Sequence, residues 1–84
     1  MKKLFENFKH MTVSEFNEEY SVNYQGEIEI EKFTDYIESE GVDYFYASCC
    51  ADDVVAECVI LYKEIGRKID DLICVDGLYL ALFN

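Results

Sequence analysis

Carboxylates dominate the reactive side chains of this sequence: eighteen Asp and Glu stand against seven Lys and Arg, one His and four Cys. Two carboxylates a few ångströms apart can act as general acid and base in hydrolysis. Eighteen acids on a chain of 84 residues, however, bring pairs together by chance. Asp70, Asp71 and Asp76 are of the type that binds a divalent cation, but their spacing lacks the alternating ligands and loop glycine of an EF-hand. They read as solvated turn carboxylates. Cys49, Cys50, Cys58 and Cys74 form no C-x-x-C pair, and the single histidine, His10, lies far from them in sequence. A zinc site would need badly spaced, nearly all-thiolate ligands, so the cysteines are expected to be free and mostly buried, behaving as small hydrophobes. No phosphate-binding glycine loop, G-x-S-x-G or H-E-x-x-H is present, and Gly26, Gly41, Gly66 and Gly77 fall where turns and caps need them. The expectation is a protein without enzymatic activity, metal or cofactor.

The position of the charge says more than its total of −11. Between Glu15 and Glu57 there are thirteen acids and one base, Lys32, while the flanks hold five acids and six bases. Glu15, Glu18, Glu19, Glu27, Glu29, Glu31, Asp35, Glu38, Glu40 and Asp43 make up the densest part. Glu31, Asp35 and Glu38 stand at i, i+4 and i+7, one column on a helix face. Like charges one turn apart repel by a few tenths of a kcal/mol, which alternating Lys would ordinarily relieve. Direct binding of DNA or RNA is excluded by this charge, because affinity for the phosphate backbone comes mostly from Lys and Arg.

The elements that must carry these residues follow from periodicity. Leu4, Phe5, Phe8 and Met11 recur at helical spacing and predict a helix over 2–10. Thr12-Val-Ser-Glu15 fits a capping box and opens a second helix to Tyr20. A loop over 21–26 is followed by a third helix over 29–39, with Ile30, Phe33 and Ile37 as its apolar stripe and Gly41 at its end. Residues 42–47 read as a strand. The next helix starts near Asp52 and Asp53, shows Val55, Cys58, Val59 and Tyr62 on one side and stops at Gly66. Asp76-Gly77 between two apolar runs predicts a type I′ hairpin. The expected fold is one α+β domain over 1–84, helices on one face of an approximately three-stranded antiparallel sheet. Its final strand is apolar on both faces, which suits either a buried central strand or an open edge where a second copy could pair into a homodimer.

Glu6, Lys9 and His10 interrupt any signal-like apolar run after Lys2 and Lys3, and no segment approaches a membrane span, so a cytoplasmic protein is expected. A chain that is 51% hydrophobic is too apolar to stay unfolded through its charge. At this length only roughly 60 to 65% of the surface is buried on folding, which leaves little for a deep pocket.

Two further segments bear on the partner. Phe16-Asn-Glu-Glu-Tyr20, followed by Tyr24-Gln-Gly-Glu27 and Phe33, resembles an element of the ArdA-type antirestriction proteins, and Val75-Asp-Gly-Leu-Tyr79 with Phe83 resembles that family's closing strand. The resemblance implies a DNA mimic that occupies the DNA groove of a restriction enzyme, with Glu27, Glu29, Glu31 and Asp35 in the acidic helix. A small phage anti-CRISPR inhibitor of convergent composition fits the same residues. The expectation is a partner with a basic nucleic-acid-binding surface. A solvated acidic face, an immunity protein to a basic toxin and a small regulatory subunit are the alternatives.

Overall fold

The computed structural model describes residues 7–83. Their order is β1 (Lys9–Met11), α1 (Val13–Tyr20), α2 (Ile30–Ser39), β2 (Tyr44–Ser48), α3 (Ala51–Ile65), β3 (Asp71–Val75) and β4 (Leu78–Leu82). The class is α+β, as the sequence predicts. The sheet has four strands rather than three, in the order β1-β3-β4-β2, and it is mixed because β1 runs parallel to β3.

The sequence places a helix where β1 lies, and the reason is visible in two side chains. Phe8 and Met11, three apart, fit one helical stripe, yet Met11 enters the cluster under α1 and α2 while Phe8 packs with the cluster under α3. Alternation across a strand separates them. Residues 2–6 of that expected helix lie outside the described residues.

Local signals set the remaining boundaries. The Glu15 amide donates to the Thr12 hydroxyl at 3.1 Å and the Thr12 amide to the Glu15 carboxylate at 2.8 Å, completing the capping box of α1. Gly66 ends α3 at φ 69°, its amide bonded to the Tyr62 carbonyl at 2.8 Å. Asp76 and Gly77 have φ of 46° and 85°, the paired positive values a type I′ turn requires.

The hairpin forms the centre of the sheet. Ile73 and Val75 of β3 with Leu78, Leu80 and Leu82 of β4 face one side, where Phe16 of α1 and Phe33 and Ile37 of α2 close the main core. Ala81, with Leu72 and Tyr79 beside it, faces the other side against Val54 and Cys58 of α3. Helices therefore cover both faces, not one, because β3 and β4 are apolar on both. The choice left open for the last strand is also resolved: β4 lies between β3 and β2 and offers no free edge. A bulge between Tyr44 and Tyr46 places Phe45 and Tyr46 on the α3 side together, while Tyr44 and Ala47 pack toward the main core.

Candidate functional site

The two helices that carry most of the acids between Glu15 and Asp43 are joined by an aromatic contact. Phe16 and Phe33 meet at 5.0 Å between ring centroids, which sets α1 beside α2 on one face of the sheet. The loop between them is held from below. Asn17 donates from its side-chain amide to the Tyr24 carbonyl at 3.1 Å and accepts from the Tyr24 amide at 3.0 Å, while the Tyr24 hydroxyl donates to the Glu27 carbonyl at 2.6 Å. Tyr24, 5% exposed, packs edge-on against Phe33. This layer presents Glu15, Glu18 and Glu19 from α1, Glu27 and Glu29 from the loop, Glu31, Asp35 and Glu38 from α2, and Glu40 and Asp43 from the turn into β2. All ten are exposed.

Counter-charge in this layer is sparse. Lys32 is its single base, and Lys9 reaches across from β1 to Glu19 at 2.9 Å. That pair raises the Lys9 pKa through the hydrogen bond and charge of Glu19. It is exposed, so it contributes little to stability.

The placement of charge along each helix is equally uneven. A helix favours acids in its first turn and bases in its last. In α3, Asp52 and Asp53 occupy the first turn and Lys63 the last. In α1, Glu18 and Glu19 lie in the last turn, and in α2 Glu38 does; neither last turn holds a base. Glu18, Glu19 and Glu38 thus stand where helix stability disfavours them, while Glu15 and Glu31 lie in first turns that favour them.

The tyrosines among and beside these acids are largely committed. The Tyr20 hydroxyl donates to Asp71 at 3.1 Å and the Tyr36 hydroxyl accepts from the Asn23 amide at 2.7 Å. Partial burial, then the Asp71 charge, raises the Tyr20 pKa. Tyr44 and Tyr46 are half-buried in β2.

An open cleft of about 340 Å³ at the ends of β1 and β3 is lined by His10, Glu15, Cys74 and Asp76, among others. His10 is exposed and Cys74 buried, and no hydrogen bond joins them. Cys74 lies opposite Tyr79 in the hairpin, and the electrostatic interaction between the two side chains raises the Tyr79 pKa. Cys58 and Cys74 are buried as expected, but Cys49 and Cys50 are exposed, because they fall in the connection from β2 to α3 rather than on an apolar face. Among the described residues no three or more His, Cys, Asp or Glu are placed to hold a metal ion, and no helix is long and apolar enough to cross a membrane. Comparison with protein-family models, curated proteins and solved structures finds no match for this chain.

Sequence reasoning located every acid of the layer but missed that no described strand covers the outer side of β2. The strand order behind this has no local signature.

Proposed function

We propose that this protein is a non-enzymatic inhibitor that lays its α1–α2 layer on the basic nucleic-acid-binding surface of another protein and keeps nucleic acid out. Such inhibitors serve phages and mobile elements against restriction enzymes and CRISPR effectors, and a defence enzyme of that kind is the proposed target. The observation that carries the reading is the unfavourable placement of Glu18, Glu19 and Glu38 at helix C-terminal turns, within a layer of ten exposed acids. A face kept acidic merely for solubility gains nothing from that placement. Carboxylates about 5 to 6 Å apart along a helix face form a regular row of negative charge, sparser than the duplex's one charge per roughly 1.7 Å of axis but of the same sign and similarly exposed.

Association by this route is steered by charge and weakens steeply with salt. The test is competition: the protein is mixed with candidate restriction and CRISPR complexes, and nucleic-acid binding is measured at low and high salt. Displacement at low salt that fades at high salt supports the reading; no displacement at any salt refutes it. Reversing Glu31, Asp35 and Glu38 together to Lys abolishes the displacement while leaving the circular dichroism spectrum unchanged.

A further inference from the structure

The two edges of the sheet are built differently. β1 is three residues long, includes Lys9 and is tied to α1 through Glu19, and a short, charged strand is one of the ways proteins protect an edge from pairing. β2 is five residues long, Tyr-Phe-Tyr-Ala-Ser, with no charge and no proline. It pairs with β4 on one side and with no described strand on the other. Among the described residues no strand meets the backbone groups of that outer side, which leaves them to water or to another extended chain. The bulge at Phe45 leaves Tyr46, Ala47 and Ser48 in regular register.

Both ends of this uncharged edge are bracketed by carboxylates. Exposed Asp43 immediately precedes β2, and Asp53 in the first turn of α3 lies 3.4 Å from the Ser48 hydroxyl at the other end, with exposed Asp52 beside it. Charge complementarity selects the occupant. A second copy would bring Asp43 and Asp53 against like charges in a molecule already at −11.

We infer that the outer edge of β2 is a strand-addition site for an extended protein segment with apolar or neutral residues at its centre and Lys or Arg at both ends. Main-chain hydrogen bonds to β2 supply the pairing, as in other strand-addition complexes, and the basic ends meet Asp43 at one end and Asp52 and Asp53 at the other. The inference rests on the reading of a basic protein partner and deepens it by giving that partner a second point of attachment beside the acidic layer.

The probe is a synthetic peptide, Lys-Thr-Val-Thr-Val-Thr-Lys, with two controls: the same peptide N-methylated at alternate amides, and one with Glu at both ends. Amide hydrogen exchange is followed residue by residue in the full chain. With peptide at about ten times its Kd, alternate amides of Tyr44–Ser48 slow by about tenfold, and neither control protects them. Asp43→Asn together with Asp53→Asn weakens the protection and flattens its salt dependence without unfolding the chain. Protection by the N-methylated peptide, or protection confined to α1 and α2, overturns the strand-addition site while leaving the basic-partner reading intact. Protection of β2 that grows with protein concentration in the absence of peptide overturns it in favour of a second copy. No protection by any peptide also overturns it, and competition for the nucleic-acid enzyme then stands as the separate test of the acidic layer.

Discussion

Cys58 is fully buried on the sheet-facing side of α3, and that burial, with the Glu57 carboxylate on the same helix adding to it, pushes its thiol up to about 11 from an ordinary 9.0. A group whose folded pKa is raised binds its proton more tightly in the native state, so its stabilisation is complete below the unfolded value and is lost as pH rises through the folded one. Tyr20, raised by burial and by Asp71, acts in the same direction at still higher pH. Stability measured by urea unfolding is therefore expected to fall from about pH 9 towards 11. Cys58→Ala removes much of that slope while lowering stability throughout, because the core loses a buried sulfur atom. A slope identical in both chains would show that Cys58 is not its source. The main core is more sensitive to truncation. Phe16 and Phe33 are both fully buried and in contact, and removing either ring to Ala costs about 3 to 5 kcal/mol. In a domain of this size that approaches the whole stability, so thermal unfolding of either variant should begin near room temperature.

Single elements follow rules that reach only a few residues. Thr12→Ala removes the hydroxyl that accepts from the Glu15 amide and should cost about 1 kcal/mol, read as a lower urea midpoint with an unchanged slope. Glu38→Lys replaces an acid in the last turn of α2 with the residue type that turn favours, so it should raise stability by about 0.3 to 1 kcal/mol and, in the same protein, weaken partner binding. Opposite signs for one substitution separate a functional carboxylate from a solvated one. The same contrast explains how much the sequence disclosed. The capping box at Thr12, the stop at Gly66 and the positive φ pair at Asp76-Gly77 are decided by neighbouring residues, and all were legible. β1 was not, because Lys9 finds its partner Ile73 far along the chain and a window holding only Phe8 and Met11 cannot tell a period of two from one of 3.6. The acids of the candidate site were legible one by one. The adjacency of the two helices that carry most of them was not, since it depends on Phe16 and Phe33 meeting over the hairpin, and neither was the outer side of β2, which no described strand covers because β4 is central.

For the molecule as a whole, charge acts on folding and on binding in opposite senses. The α1–α2 layer holds ten exposed carboxylates, from Glu15 to Asp43, with Lys32 as its only base, so its internal electrostatics are repulsive in the native state and are relieved when the chain expands. Salt shortens the Debye length from about 30 Å at 0.01 M to about 8 Å at 0.15 M. That screens repulsion between exposed charges, and little is lost in exchange, because the exposed Lys9–Glu19 pair contributes little. Added sodium chloride should therefore raise the unfolding temperature over this range. The same screening weakens steering toward a basic surface, so association with the partner should slow and its affinity fall. Measured on one sample, the two slopes have opposite sign. Charge reversal of Glu31, Asp35 and Glu38 to Lys changes the layer by six units and should flatten both slopes together. A flattened stability slope with binding unchanged would place the partner elsewhere on the surface, and the edge of β2 is then the next place to look.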